Sequence, residues 1–270
     1  MNDFKTIKTR IDGGVLYADL NAPPLNLMGP ELAGDLGKLL KEAEADRSVR
    51  VVVFSSLVPD FFIAHVDMVQ LPALREALVE ACGEPSYATF VARIGHSRLV
   101  TIAVVEGRAR GAGSEFVLGC DMVFASRERA VFGQPEVGVG LIPGGGAAQH
   151  LPRLMGRGRA LEVMLGGDDF DADLAERYGW VTRSLPDAQL RGHVEKLAHR
   201  IASFPAEGVH TIKSRLGFAL PPAGEMVIDS LLFGAGARHP DTQAAVKALF
   251  IRGLQQPGDT ELNLGGAIAS

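Results

Sequence analysis

Two glutamates set among glycines are the side chains of this sequence best suited to chemistry. Glu115 closes the run Gly111-Ala112-Gly113-Ser114-Glu115, and Glu136 closes Phe132-Gly133-Gln134-Pro135-Glu136. Gly144-Gly145-Gly146 follows shortly after. The apolar run Val100–Val105 reads as a buried strand, and the apolar-rich residues 116–120 read as the body of a helix. A glycine turn between them leaves the first N–H groups of that helix without partners inside it. Such a terminus favours negative charge. Pro135 fixes the backbone beside Glu136, and the triple glycine lets a backbone approach a ligand closely. Two carboxylates beside aimed N–H donors suit proton transfer next to an oxygen that gathers negative charge. Each glutamate alone also has a plain explanation. Glu115 would complement a helix dipole, worth roughly 0.3–1 kcal/mol, and Glu136 would open another helix.

The surrounding elements follow from periodicity. Residues 6–11 and 15–20 flank Asp12-Gly13-Gly14 and predict a hairpin. Asn21-Ala22-Pro23-Pro24-Leu25-Asn26 breaks regular structure. Leu32, Leu36, Leu39, Leu40 and Ala43 keep a helical spacing behind Pro30. Residues 49–54 predict a second buried strand, and Phe61-Phe62-Ile63-Ala64-His65-Val66-Asp67 follows. Residues 68–84 read as a helical connection interrupted by Pro72. Residues 85–98 predict a helix with Tyr87, Phe90, Val91 and Ile94 on one side. Further helices are expected over 153–165 and 172–178, and a short strand after Gly179-Trp180-Val181. From Pro186 the chain reads as helical to Phe250, broken at Phe204-Pro205, Pro221-Pro222 and His239-Pro240. Residues 256–270 read as a polar, glycine-containing tail.

Composition excludes several classes. The 270 residues are 47% hydrophobic and 22% charged, with a formal net charge of −5. This is ample for one large core and offers no basic block for nucleic acid. The apolar runs are short of a membrane span. The opening MNDFKTIKTR lacks the apolar stretch of a secretory signal. Cys82 and Cys120 form neither a disulfide framework nor a zinc spacing, so reduced thiols and a cytoplasmic location are expected. Gly111-Ala112-Gly113 and Gly138-Val139-Gly140 both lack the third glycine of a dinucleotide turn. Ser114 does not sit in the G-x-S-x-G elbow of a serine hydrolase.

Taken together, GAGSE at 111–115, CD at 120–121, FGQPE at 132–136 and GLIPGGG at 140–146 resemble the crotonase superfamily, the enoyl-CoA hydratase/isomerase family. The resemblance covers most of residues 5–220. It implies an α/β fold, a spiral of ββα units over residues 1–204. A C-terminal helical region over 205–255 would pack on this core or on a neighbouring subunit, with the tail beyond. It implies an acyl-CoA thioester as substrate, with coenzyme A entering only as part of that substrate, no separate cofactor and no metal. Hydration of a 2-enoyl-CoA is the expected reaction, since both carboxylates are kept. Isomerisation or another acyl-CoA lyase or hydrolase reaction is the alternative, and a non-catalytic acyl-CoA or protein-binding module is the reading from another class.

By the same resemblance the backbone N–H groups of Ala64 and Ala112 form the oxyanion hole, Glu115 activates water, and Glu136 exchanges a proton with the α-carbon. The Gly144 N–H orients the water. Ala22, Pro24, Leu25, Asn26, Ile63, Ala64, His65, Val66 and Asp67 line the path of the substrate and its coenzyme A. His65 stands where relatives usually carry glycine, and the residues alone leave it as a pocket wall, a catalytic extra or a surface side chain. Trimers, or trimers paired into hexamers, are the implied assembly. Met226, Val227, Ile228, Leu231, Leu232 and Phe233 are more apolar than one exposed helix face requires.

Overall fold

The computed structural model describes residues 3–269. Strands β1 (Ile7–Asp12) and β2 (Val15–Leu20) form the expected hairpin, with Asp12 opposite Val15. The other long strands are β3 (Val51–Ser56), β5 (Val100–Val105) and β7 (Met122–Ser126). Each is followed by a short strand: β4 (Phe61–Ile63), β6 (Arg108–Arg110) and β8 (Val131–Gly133). The last pair is β9 (Asp169–Asp171) and β10 (Arg183–Leu185). The long strands and β10 make a six-stranded sheet in the order β1-β2-β3-β5-β7-β10, parallel after the first hairpin. The short ones make a second sheet, β4-β6-β8-β9, with only β9 antiparallel. Each turn of the chain thus adds one strand to each sheet and then a helical segment. This is the ββα spiral that the resemblance implies.

Alternation along the long strands explains why the first sheet is covered on both sides. Val52, Phe54, Ala103 and Val105 face a core shared with the helices Pro30–Ala45, Tyr87–His96 and Ala112–Gly119. Val51, Val53, Ile102 and Val104 face the opposite way. They pack under Leu190, Val194, Ala198 and Ala202 of the helix Asp187–Ser203.

Several expectations are corrected. Pro72 does not interrupt its helix but sits in the first turn of Leu71–Cys82, where the missing N–H costs nothing. The helix expected over 153–165 is two, Ala147–Met155 and Arg157–Gly166, divided at Gly156 with φ 80°. C-terminal helices run Ala206–Leu216, Ala223–Gly236 and Pro240–Ile251, divided where the prolines predict. The segment expected to be a tail folds back as two short helices, Asp259–Leu262 and Leu264–Ile268. Glu261, Leu264 and Gly265 are buried there, because the chain closes over the outer edge of the second sheet. Ser270 lies outside the described residues.

Candidate active site

Glu115 lies in the first turn of Ala112–Gly119, a helix whose residues are all buried. Gly111 turns β6 into this helix with φ 48°, a conformation that favours glycine. A Cβ on Gly111 would also stand 2.8 Å from Glu136 Oε1. At Gly113 a Cβ would collide with the Ile63 carbonyl oxygen, so the helix start and the end of β4 touch backbone to backbone. The Tyr87 hydroxyl donates to the Ala112 carbonyl at 2.6 Å and pins the same turn from the other side.

The Glu115 side chain is 3% exposed. Its Oε1 accepts from the N–H of Gly145 at 2.6 Å and of Ala147 at 3.2 Å, the glycine turn at the start of Ala147–Met155. Burial pushes its carboxyl up to about 7, against the pull of these N–H groups, and the charge of Asp229 adds to the rise. Glu136 lies in the 3₁₀ turn Pro135–Val139, half-buried, rather than opening a long helix. Burial, then the negative charge of Glu115, hold its carboxyl well above the ordinary carboxylate range. The two groups therefore sense each other and titrate as a pair.

The Glu136 carboxylate is held by residues that the sequence did not single out. With its amide turned so that both ends are satisfied, Gln134 donates to Glu136 Oε1 and Oε2 at 3.2 and 3.0 Å and accepts from the Ser114 hydroxyl at 3.0 Å. The Trp180 indole N–H donates to the same hydroxyl at 3.2 Å. Gln134 and Ser114 carried a signal, their places inside the FGQPE and GAGSE runs. Trp180 is brought in by the last turn of the spiral, which periodicity does not reveal.

Asn26 and the Met28–Val66 bridge tie together the two segments expected to flank the substrate. Asn26, buried and with φ 49°, accepts from Ala22 N and donates to the Phe62 carbonyl and the Ser56 hydroxyl. Met28 pairs with Val66 in a parallel bridge. Residues 22–26 and 63–67 thus lie side by side, with Leu25, Ile63 and Ala64 buried and Pro24 exposed. The Ala64 N–H donates to the Leu25 carbonyl at 3.2 Å. Asp67 accepts from Val69 N and from the Gln70 and Gln255 amides. Although burial raises its carboxyl, these bonds outweigh it and hold the group below its ordinary value. Gly144 packs on Phe233 of the helix Ala223–Gly236, while Gly145 and Ala147 supply the N–H groups that meet Glu115. His65 is neither a surface side chain nor without a partner: it is 6% exposed, and its Nε2 lies 2.9 Å from Glu261 Oε1.

The comparisons with known proteins agree with this architecture. The family model for enoyl-CoA hydratase/isomerase matches residues 10–239. A candidate enoyl-CoA hydratase of Rhizobium meliloti is 34% identical over 205 residues, 74% of this chain and 77% of that one. A crystal structure of a candidate enoyl-CoA hydratase from Streptomyces avermitilis superposes with TM-score 0.97 at 48% identity, covering 100% of this chain and 98% of that one. An enoyl-CoA hydratase/isomerase from Pseudoalteromonas atlantica gives 0.78 at 26% identity, covering 92% and 98%. The spiral of two sheets, the buried glutamate at a glycine-led helix start and these matches together place the chain in the enoyl-CoA hydratase/isomerase family, as an acyl-CoA-processing enzyme of the crotonase type.

Proposed function

We propose that the protein adds water across the double bond of a 2-enoyl-CoA to give a 3-hydroxyacyl-CoA. The observation that carries this reading is two carboxyls gathered at the Gly111 turn with different partners, the buried Glu115 on the N–H groups of Gly145 and Ala147 and the half-buried Glu136 on the Gln134 amide. Glu136 feels both burial and the Glu115 charge. Glu115 is stabilised as an anion by the N–H groups of Gly145 and Ala147. The N–H groups favour the anion at Glu115, and the Glu115 charge favours the proton on Glu136. One acid and one base side by side are what hydration requires.

In this reading Glu115 takes a proton from water as the water oxygen bonds to the β-carbon. Glu136 gives its proton to the α-carbon. The proton left on Glu115 passes to Glu136 before the next turnover, so the sum is one water per thioester. Negative charge gathers meanwhile on the thioester oxygen, which the N–H groups of Ala112 and Ala64 receive. Ala112 stands at the open start of its helix. The 3.2 Å bond from Ala64 to Leu25 is long, and a charged oxygen makes the stronger acceptor. The Gly144 N–H orients the water, and Ala22, Pro24, Leu25, Asn26, Ile63, His65, Val66 and Asp67 flank the acyl-CoA.

Crotonyl-CoA tests this directly, through loss of its ultraviolet absorbance and mass spectrometry of the product. Glu115→Gln and Glu136→Gln should each lose about 10²–10⁴-fold in kcat, with thioester binding little changed. The double variant should lose less than the product of the two. One crippled variant beside one of near-native rate, with no hydration at all, would replace this reading with an isomerase.

Self-association belongs to the same proposal. Ile228, Leu231 and Leu232 are 49, 68 and 50% exposed on the helix Ala223–Gly236, and Ile212 and Phe218 are exposed before it, whereas Met226 is buried. A trimer or a pair of trimers would cover these side chains.

A further inference from the structure

Residues 255–268 touch both strands that lead into the proposed oxyanion hole. From one side, Glu261 Oε1 lies 2.9 Å from His65 Nε2, and His65 directly follows Ala64. From the other, the buried Arg110 guanidinium donates to the Glu261 carbonyl at 2.7 Å and to the Leu262 carbonyl at 3.2 Å. Arg110 stands just before Gly111-Ala112, and its remaining N–H groups form a two-pronged pair with Asp169, both bonds 2.6 Å. A single residue, Glu261, therefore joins the two backbone donors, through its side chain to one and its carbonyl to the other. Further contacts run the same way. The Gln255 side chain accepts from Met68 N at 2.9 Å and donates to Asp67 at 3.0 Å. Ile268 packs against Gly138 in the turn that carries Glu136, where a Cβ on Gly138 would stand 2.6 Å from it.

We propose that the C-terminal segment is a latch that sets the spacing of the Ala64 and Ala112 N–H groups, with Glu261 and His65 as its positioning residues. The proposal rests on the acyl-thioester reading for its chemistry, and on these contacts for its mechanics.

The hydrogen-bond logic defines the pair. His65 Nδ1 faces the Val66 carbonyl at 2.8 Å, so Nδ1 carries a hydrogen. Nε2 faces a carboxylate, so one further proton must lie between Nε2 and Oε1. Burial alone would raise the Glu261 carboxyl. The bond and charge of His65, the Gln255 N–H at 2.6 Å and the charge of Arg110 outweigh that and hold it below its ordinary value. The pair thus shares one proton between Nε2 and Oε1, buried at 7 and 0% side-chain exposure. Removing one partner of such a pair leaves the other uncompensated. Glutamine in place of Glu261 could instead donate its amide to an unprotonated Nε2 and keep the connection.

The test uses Glu261→Ala, with Glu261→Gln as the rescue. Cinnamoyl-CoA is the probe: its conjugated thioester absorbs at longer wavelength when its carbonyl oxygen is polarised by aimed donors. It is read in a Glu115→Gln background, where turnover is blocked. Glu261→Ala should at least halve the red shift. With Glu115 intact it should lower kcat on crotonyl-CoA by up to about 10²-fold, with KM and the affinity for free coenzyme A little changed. Glu261→Gln should restore most of both. In the ligand-free chain, amide hydrogen exchange over residues 61–68 and 108–115 should quicken in the alanine variant only. Unchanged exchange and an unchanged red shift in Glu261→Ala would overturn the latch. A missing red shift with Glu261 intact would overturn the thioester reading, while exchange would still report on the latch. If Glu261→Ala does not fold, His65→Ala breaks the same bond from the other end and is read in the same way.

Discussion

The two sheets differ in their polar content. The six-stranded sheet is apolar on both faces along its central strands Val51–Ser56 and Val100–Val105. The four-stranded sheet has strands of three residues, includes Arg108, Arg110, Asp169 and Asp171, and is closed by polar bonds from the C-terminal segment. The first is held by burial, which is tolerant of position. The second buries Phe62, Phe132 and Phe170 but adds directed bonds, which fix position, and it leads into the helix starts and turns where Glu115 and Glu136 sit. Stability and chemistry are thus drawn from different layers, and substitutions in one should read differently from substitutions in the other.

The largest effect on folding is expected on the far face of the apolar sheet. Ile102 is fully buried under the helix Asp187–Ser203, away from the site. Ile102→Ala should cost about 2–5 kcal/mol of stability in chemical denaturation. The kcat of the protein that remains folded should stay within about twofold of native, since general acid–base catalysis depends on groups in reach of the reacting proton. A loss of kcat as large as that of the glutamate variants would erase the proposed division between the sheets.

The opposite sign is expected in the site. The Glu115 carboxyl lies at about 7 in the fold against an ordinary value of 4.5. Between those values the folded chain keeps a proton that the unfolded chain has released. Stability therefore falls as pH rises through that window, and above it the buried anion is a constant cost. Glu115→Gln should make the slope shallower, leaving the part that Glu136 and Asp229 contribute. It should stabilise the protein by an amount of order 1–3 kcal/mol at pH 8, while lowering kcat by about 10²–10⁴-fold. Denaturation of both proteins between pH 5 and pH 8 checks this, and parallel profiles would show that Glu115 is not held up by burial.

The same contrast explains what could be read from the sequence. Runs such as Val100–Val105 announce themselves, because every residue is buried and the apolar pattern is continuous. Prolines mark the breaks between the C-terminal helices. The two glutamates are legible through their glycine and proline neighbours. Strands of three residues have too few positions to show a period, so β6, β8 and β9 pass unnoticed although they carry the site. The 256–270 segment reads as a tail because Glu261 looks like a solvent-facing residue. Only the fold brings His65 and Arg110 to meet it. Asp229 is hidden for the same reason: within its own apolar helix it looks like the polar face.

Asp229 offers the finest adjustment of the site. It is 4% exposed on the helix Ala223–Gly236, its Oδ1 accepts from the Gln149 amide at 3.4 Å, and its Oδ2 has no hydrogen-bond partner among the described residues. Burial raises its own carboxyl, and its charge in turn helps to raise that of Glu115. Asn at this position keeps the shape and removes the charge. The Glu115 carboxyl should then ionise more easily. If Glu115 is the base, the rising limb of kcat/KM against pH reports its ionisation in the free enzyme. That limb should move to lower pH in Asp229→Asn, so that activity at pH 6 rises by roughly two- to threefold while the plateau at high pH stays near native. A limb that moves the other way would mean that the group which must ionise is stabilised by Asp229. The base would then be a group other than Glu115.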